Sequence, residues 1–141
     1  MNIEYRKSIK DINWQEVSGL FQQVGWGVRA PDDVRRAFET SSHVRFAFCD
    51  GSLAGFGRTV DDGKYYALIV DLVISPEYQN MGIGKTILAE LTDQLKSYAF
   101  TTLTSAVGKE AFYIKQGWEN QKTSFIWPRS EKQRDEHAKS S

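Results

Sequence analysis

Residues 79–86 have the sequence QNMGIGKT, a glycine-rich stretch between a predicted strand and a predicted helix. Its end matches the phosphate-binding loop of ATPases, which has the pattern G-x-x-x-x-G-K-S/T. That loop needs glycine at the position of Gln79 and a later strand ending in aspartate to hold magnesium, whereas the next predicted strand, residues 100–105, has no acid. The ATPase interpretation therefore lacks residues that its mechanism requires.

The same stretch contains part of the dinucleotide-binding pattern, G-x-G-x-x-G/A, but Ile87 stands where glycine or alanine is required. The physics of such loops still applies, because Gly82 and Gly84 let the backbone approach a ligand closely. A helix that begins near Gly82 leaves its first amide groups unbonded, and these favour a phosphate or pyrophosphate. Lys85 and Thr86 add a charge and a hydroxyl, although a plain glycine turn is the alternative.

The composition is that of one small globular domain. The chain has 141 residues, of which 40% are hydrophobic, and its Lys and Arg residues equal its Asp and Glu residues at 18 each. This balance gives no net charge to attract nucleic acid or a membrane surface. The first ten residues lack the apolar run of a signal peptide, and no segment approaches the roughly 20 apolar residues of a membrane span. We therefore expect a cytoplasmic protein.

Cysteine and histidine are too few for a disulfide or a structural zinc site. Cys49 is the one cysteine, and His43 and His137 lie far apart in the sequence. An internal disulfide needs a second thiol, and structural zinc needs four nitrogen or sulfur ligands. We therefore expect no metal.

Hydrophobic periodicity predicts a strand, two helices, three strands, a helix, a strand, a helix and a strand, in that order. The predicted strands are residues 2–6, 44–48, 52–60, 64–74, 100–105 and 118–127, and the predicted helices begin at Asp11 and Pro31 and span residues 82–97 and 110–116. This order predicts an α/β (α+β) fold with one mixed, mostly antiparallel sheet flanked by helices. We expect a domain over residues 1–127 and a polar, mobile tail over residues 128–141.

Two motifs resemble the signatures of the GNAT N-acetyltransferase superfamily. Residues 73–84, VISPEYQNMGIG, are similar to its acyl-CoA signature, in which an apolar strand and a proline precede Arg or Gln and two spaced glycines. Residues 111–118, AFYIKQGW, are similar to its second signature, FYEKLGF. Both stand in the family's order and spacing, and the resemblance covers about residues 3–127. A looser similarity links the earlier part of the chain to small bacterial members and to arylalkylamine acetyltransferases.

The resemblance implies that acetyl-CoA donates an acetyl group to a primary amine. It places the pyrophosphate of coenzyme A on the amides of residues 79–85, with Gln79 replacing the commoner arginine. It places the pantetheine beside residues 71–74, where the strand separates from the next and a backbone N–H near Leu72 or Val73 stabilises the oxyanion. The implied cofactor-binding residues are Leu72, Val73, Ile74, Gln79, Asn80, Met81, Gly82, Ile83, Gly84, Lys85, Thr86 and Tyr113.

Three side chains are candidates for the proton transfers of this reaction. The amine must lose a proton, and Asp71 is the first candidate base, since alternation places it on the apolar face of Ala67, Ile69 and Val73. The alternative is that Asp71 pairs locally or that a bulge turns it elsewhere; Glu77 is the second candidate. Tyr113 matches the tyrosine of the second signature, which implies that it protonates the leaving thiolate, unless it is a core residue.

The resemblance also implies that the segment after the first helix forms a wall of the acceptor site. Trp26 could stack on the amine or be a buried support, and Arg29 could meet an acidic acceptor or face water. Tyr65 and Tyr66 alternate along their strand, so at most one of them lines the cleft, and we favour Tyr66. The expected partner is a small-molecule amine, without nucleic acid or membrane, and Trp127 on the final strand permits a homodimer.

Two other functions stay open beside acetylation of a small amine. Acetylation of a protein N-terminus or lysine would favour an acidic groove, and no acidic run lies beside the active elements. A non-catalytic acyl-CoA sensor would have less need of Gly82, Gly84 and Tyr113, which are all present.

Overall fold

The computed structural model describes residues 2–138. Its internal contacts divide the chain into two compact units, Met1–Leu103 and Thr104–Ser141. We call them the first and second unit and describe each by itself. The predicted domain boundary between residues 127 and 128 stays a prediction. No helix among the described residues combines the length and the apolar composition that crossing a membrane requires.

The first unit is an α+β structure built on one five-stranded sheet. Its elements are β1 (Ile3–Arg6), α1 (Trp14–Gln23), α2 (Pro31–Thr40), β2 (Val44–Cys49), β3 (Ser52–Asp61), β4 (Tyr66–Ile74), a 3-10 turn (Pro76–Tyr78), α3 (Ile83–Gln94) and β5 (Phe100–Leu103). The strand order is β1-β2-β3-β4-β5. Neighbouring strands are antiparallel except β4 and β5, which are parallel. The predicted mixed, mostly antiparallel sheet with flanking helices is confirmed.

Helices cover both faces of this sheet. On one face, Phe21 of α1 and Phe38 of α2 contact Phe56 of β3, with ring centroids 5.1 and 5.7 Å from that of Phe56. On the other face α3 lies so close to β3 that a Cβ on Gly57 would approach side-chain atoms of Ile87 and Leu91 at 3.1 Å. Burial of each large apolar side chain contributes about 1.5–3 kcal/mol, so these two contacts fix the helices on the sheet.

The N-cap of α1 lies two residues after Asp11, where the sequence predicted the helix to begin. Asn13 is the N-cap, and its side chain accepts hydrogen bonds from the backbone N–H of Gln15 and Glu16 at 3.0 and 3.2 Å. Asp11 has a left-handed backbone, φ +59°, and belongs to the preceding turn. Asparagine and aspartate are equally good N-caps, so residue type alone could not decide between Asp11 and Asn13.

A bulge interrupts the pairing of β3 with β4. Phe56 is opposite Val73, but Arg58 is opposite Val70, so two residues of β4 oppose the single residue between them on β3. The first of the two is Asp71, whose φ of +54° is left-handed. One inserted residue reverses the faces of all side chains beyond it. Regular alternation along β4 is therefore broken at the predicted catalytic residue.

The bulge corrects the predicted surroundings of Asp71. Ile69 is opposite Thr59, which alternates onto the same face as Gly57, so Ile69 points toward α3. Val73 instead belongs to the core cluster of α1 and α2. Asp71 lines a pocket with residues of α2, on the side of Val73. Asp71 thus shares the side of Val73, as predicted, but the predicted neighbours Ile69 and Ala67 are wrong, because that prediction assumed an unbroken strand. The alternative, a bulge that turns Asp71, is confirmed.

Strand β4 extends beyond the residues that pair with β5. The parallel ladder joins Tyr66 to Phe100 and ends at Ile69 and Leu103, the last residue of β5. Among the described residues, the part of β4 after Ile69 has no ladder partner on this side. The family resemblance implied that the strands separate at residues 71–74; the end of the ladder agrees with this, and the separation itself stays a prediction.

The second unit contains two short helices, α4 (Glu110–Lys115) and α5 (Glu131–His137). Within its described residues there is no strand, so the predicted final strand at residues 118–127 is wrong. A strand needs a neighbour for its backbone groups and apolar side chains. Here Phe125 and Trp127 are instead 96% and 82% exposed. The segment predicted as a polar tail contains α5, with Ser130 as N-cap; its mobility stays a prediction.

Candidate active site

A pocket of about 350 Å³ lies in the first unit beside the bulge of β4. Its lining residues are Phe21, Val28, Arg29, Ala30, Asp33, Val34, Ala37, Phe38 and Asp71. Most of these side chains are apolar, and the three charged ones are Arg29, Asp33 and Asp71. The pocket is therefore lined by apolar side chains and a few charged groups, as small-molecule sites usually are.

The Asp71 carboxylate is bound by arginine at both of its oxygens. Its Oδ2 accepts a hydrogen bond from Arg58 Nε at 2.7 Å, and its Oδ1 accepts one from Arg29 Nη1 at 3.3 Å. The side chain is only 9% exposed. Two guanidinium groups thus replace the apolar neighbours that alternation predicted. They neutralise a nearly buried charge that would otherwise be costly to desolvate.

From the sequence, Arg58 was a candidate for the cleft or for a sheet edge, and its pairing with Asp71 was missed. Its side chain is 14% exposed, and its Nη1 also donates to the Ala37 carbonyl at 3.4 Å and to Ser41 Oγ at 3.2 Å. These acceptors lie at the end of α2 and just after it. A charged residue inside the otherwise apolar strand LAGFGRTV was the available signal, since buried charges are paired.

Arg29 lines the pocket, as a predicted substrate-binding residue should. It is 39% exposed, and its guanidinium carbon lies 4.0 Å from the ring centroid of Phe21 and 5.7 Å from that of Trp26. The Arg29 carbonyl accepts a hydrogen bond from the Ser18 hydroxyl, which ties the loop to α1. Both aromatic rings are within the range of a cation–π interaction.

The other two predicted acceptor residues are outside the pocket lining. Trp26 is 36% exposed, and its ring lies 5.7 Å from the ring of Phe21 and 5.7 Å from the Arg29 guanidinium carbon. Tyr66 is 66% exposed at the beginning of β4 and contacts Phe100 at 6.2 Å. The structure thus joins Arg29 and Asp71, places Trp26 next to them, and leaves Tyr66 apart.

The glycine-rich loop ends in a helix terminus suited to an anion. Gly82 is the N-cap of α3 with a left-handed φ of +82°, and the first turn contains no acidic residue. The backbone N–H of Thr86 donates to the Gly82 carbonyl at 3.0 Å, which leaves the three preceding amides without helical partners. Such amides, together with the helix dipole, bind phosphate groups. The residues present therefore fit the pyrophosphate of coenzyme A.

The side chains around these amides have mostly structural contacts. Gln79 Nε2 donates to the Ile74 carbonyl at 3.2 Å, which ties the loop to the end of β4. The Ile83 side chain is 1% exposed and that of Val73 3% exposed, so both belong to the core. Because these two side chains are buried, only the backbone groups of Ile83 and Val73 can contact a ligand. Lys85 is exposed at the helix start, and the cofactor roles of the whole set stay predictions.

Tyr113 lies on α4 in the second unit. Its ring is 5.0 Å from that of Phe112, and its carbonyl accepts a hydrogen bond from the Trp118 N–H at 3.0 Å. Burial raises the pKa of the Tyr113 phenol above its ordinary value of 10.0. The phenol is therefore protonated at neutral pH and available as a hydrogen-bond donor. Gly117, with φ +94°, ends this helix.

Comparison with known proteins identifies the family. The family model described as an acetyltransferase (GNAT) domain matches residues 13–126. This chain therefore belongs to the GNAT family, and it is an N-acetyltransferase. Among the described residues, no group of three or more His, Cys, Asp or Glu side chains could hold a metal ion.

Similar proteins agree with this assignment. The uncharacterized N-acetyltransferase ycf52 of Pyropia yezoensis is 32% identical over 135 residues, covering 89% of this chain and 78% of the relative. A GNAT-family acetyltransferase of known structure from Streptococcus pneumoniae has a TM-score of 0.77 with 26% identity, covering 92% of this chain and 100% of its own. A Staphylococcus aureus protein has a TM-score of 0.80 at 16% identity, covering 92% of this chain and 100% of its own, which supports the fold alone.

Proposed function

We propose that this chain transfers the acetyl group of acetyl-CoA to the primary amine of a small molecule by direct attack on the thioester. The observation that carries the proposal is the pocket of about 350 Å³ with the nearly buried Asp71 carboxylate in its lining. A pocket of this volume, with apolar side chains and a few charged groups in its lining, fits a small molecule. The unbonded amides at the start of α3 support acetyl-CoA as the donor.

The acceptor's proton is the first chemical problem. An alkyl amine with a pKa of about 10.4 arrives as an ammonium ion, and its nitrogen becomes a nucleophile only after a proton leaves. We assign that proton to Asp71 Oδ1, directly or through one water molecule, because Oδ2 is occupied by Arg58 at 2.7 Å. The carboxylate gains the proton that the ammonium loses.

The amine nitrogen then forms a bond to the thioester carbonyl carbon. We assign the negative charge on the carbonyl oxygen to a backbone N–H near Leu72 or Val73, on the part of β4 without a ladder partner toward β5. The bonded nitrogen carries a positive charge and loses its second proton to solvent. When the C–S bond breaks, the thiolate takes a proton, which we assign to the Tyr113 phenol, and solvent returns a proton to the phenolate. The products are an N-acetylated amine and coenzyme A.

A rice relative supports a small amine as the acceptor. Serotonin N-acetyltransferase 2 of Oryza sativa is 30% identical over 95 residues, covering 64% of this chain and 48% of the relative. The name of that protein specifies an aromatic amine. The predicted cytoplasmic location and homodimer belong to the proposal as well, although the rice relative is named as chloroplastic.

The test is release of coenzyme A thiol from acetyl-CoA in the presence of a panel of primary amines and of lysine-containing peptides. We expect release with at least one small amine and greatly reduced release by Asp71→Asn. Asp93→Asn is the matched control, because Asp93 is 71% exposed on α3 and pairs with Lys96. Release with peptides alone would favour a protein acetyltransferase. Binding of acetyl-CoA without release by any acceptor would favour a sensor and contradict the proposal.

A further inference from the structure

The two arginines on Asp71 are held with unequal strength. Arg58 is 14% exposed, forms a 2.7 Å hydrogen bond to Oδ2, and donates to two further acceptors near the end of α2. Arg29 is 39% exposed and contacts Oδ1 at 3.3 Å, its one hydrogen bond from the side chain among the described residues. Partly exposed ion pairs are weak because water competes for both charges. Arg29 can therefore leave Oδ1 while Arg58 keeps the carboxylate in place.

Aromatic rings surround the position that the Arg29 guanidinium occupies. Phe21 lies 4.0 Å from the guanidinium carbon and Trp26 5.7 Å from it. The faces of such rings attract any cation, whether it belongs to the protein or to a ligand. Carboxylate and ring faces together form a subsite for a positive charge, which the protein's own side chain now fills. Arg29 lies on the loop between α1 and α2, shortly after Gly27, whose φ of +87° is left-handed.

The charges of the pocket lining also favour a cation. Asp33 and Asp71 are the carboxylates of the lining, and both arginines, Arg29 and Arg58, are on Asp71. Asp33 is in none of the ion pairs between described residues. A ligand with an acidic group would therefore face the unpaired Asp33 carboxylate, whereas an ammonium ion that replaced the Arg29 guanidinium would keep the charges balanced.

We propose that Arg29 is a displaceable substitute for the acceptor's ammonium group. The acceptor is then a cationic primary amine on an aromatic or aliphatic body without an acidic group. Its ammonium takes over Asp71 Oδ1 and the ring faces, and the Arg29 guanidinium moves out to solvent. This inference rests on the proposed function, in which the same oxygen receives the amine's proton. Arg29 is a specificity-determining residue that weakens amine binding and so raises KM.

The test measures amine binding apart from turnover. 2-Phenylethylamine is titrated calorimetrically into wild type, Arg29→Gln and Arg29→Lys, with and without saturating coenzyme A, which has no acetyl group to transfer. We expect Arg29→Gln to bind the amine about two- to five-fold more tightly, the factor that a partly exposed ion pair is worth. Arg29→Lys keeps the competing charge and should resemble wild type. Arg36→Gln is the control, because Arg36 is 70% exposed and pairs with Asp32.

A second measurement on wild type removes any dependence on the folding of a variant. The Nε–H resonances of Arg29 and Arg58 are followed by NMR as the amine is added. We expect the Arg29 signal to shift and the Arg58 signal to keep its protection from solvent exchange. Phenylalanine, which adds a carboxylate to the same amine, should bind weakly to every variant.

Several results would overturn the inference. They are equal or weaker amine binding by Arg29→Gln, an unchanged Arg29 signal at saturation, and a preference for phenylalanine that Arg29→Gln abolishes, since that preference would make Arg29 an anchor for an anion. Failure of the proposed function gives a different pattern. In that case amine binding tightens in Arg29→Gln, yet no thiol is released from acetyl-CoA by any variant.

Discussion

Arg58 on β3 and Asp71 on β4 form an ion pair of 2.7 Å with side chains only 14% and 9% exposed. The bulge in β4 makes this pair, since it turns Asp71 onto the face where Arg58 meets the end of α2. One carboxylate oxygen is fixed by Arg58, and the other is directed to Arg29. The candidate base is thus held by Arg58 at one oxygen, and the proposed departure of Arg29 makes the other oxygen available for chemistry.

Asp71→Asn should abolish most activity and weaken the fold. Loss of a general base lowers kcat/KM by about 10²-fold or more, and Arg58 loses a charged partner, which costs about 1–3 kcal/mol of unfolding free energy. Steady-state kinetics and urea denaturation measure the two effects on the same protein. Kinetics are measured at a temperature where circular dichroism shows the variant folded. An Asp71→Asn enzyme with wild-type kcat/KM would remove Asp71 from the mechanism.

Gly82→Ala should weaken acetyl-CoA binding through the backbone. No atom lies within 4 Å of the added Cβ, but φ at this residue is +82°. A left-handed backbone costs an L-residue about 1–2 kcal/mol, so the start of α3 should change conformation and the KM for acetyl-CoA should rise.

Gly19→Ala is the control for this substitution. Gly19 lies inside α1, again with nothing within 4 Å of the added Cβ, but without a left-handed φ. Alanine there should stabilise the protein by about 0.5–1 kcal/mol and leave the KM for acetyl-CoA unchanged. If both variants behaved alike in thermal denaturation and kinetics, the conformation of Gly82 would not be what positions the amides.

Tyr113→Phe should lower kcat by roughly 10²-fold if the phenol protonates the thiolate. Because the pKa of Tyr113 is raised above 10.0, the acid form persists through the whole neutral range. The wild-type kcat should therefore show no decline below pH 10 that is due to this group. A pH profile of kcat for both enzymes measures this, and an unchanged kcat in Tyr113→Phe would show that another group donates the proton.

The same pKa shift predicts an alkaline loss of stability. The folded protein holds the Tyr113 proton more tightly than the unfolded chain, whose phenol ionises near 10.0. The stability from this group is fully present below that pH and is lost as the pH rises through the folded-state pKa. Tyr113→Phe should show a smaller decline in unfolding free energy above pH 10, measured by urea denaturation. An identical decline in both proteins would contradict the shift.

Gly55→Ala should disturb the end of β4. An added Cβ would lie 2.8 Å from the Val73 carbonyl oxygen and 2.6 Å from Ile74 Cδ1, so a backbone group would have to move. Overpacking of this kind costs about 1–3 kcal/mol, and the shift should reach the backbone of residues 72 and 73, where we proposed the oxyanion contact. Thermal denaturation and kcat together test this, and a variant with unchanged stability would refute the close approach.

The sequence predicted the repeating parts of this structure well. Alternation and helical spacing located all five strands and the three helices of the first unit, because one buried face per element imposes a period. Gly82 was correctly placed at the start of α3, since glycine has a specific conformational role there. Local patterns of this kind depend on neighbours within a few residues.

Features that depend on distant partners were predicted less well. The bulge at Asp71 follows from how β3 and β4 pair, and nothing in the spacing of residues 64–74 indicates it. The apolar letters of residues 118–127 predicted a strand, but no ladder partner is present for it among the described residues. Arg29 and Arg58 lie 42 and 13 residues from Asp71, so their contacts depend on the completed fold.

The most direct test of the account is an NMR titration of the isotope-labelled protein with coenzyme A. Binding of the pyrophosphate by the start of α3 predicts that the largest amide shifts belong to residues 79–86, with smaller ones along residues 71–74. A folded sample that shows no shifts at millimolar coenzyme A, or shifts confined to other segments, would contradict the account.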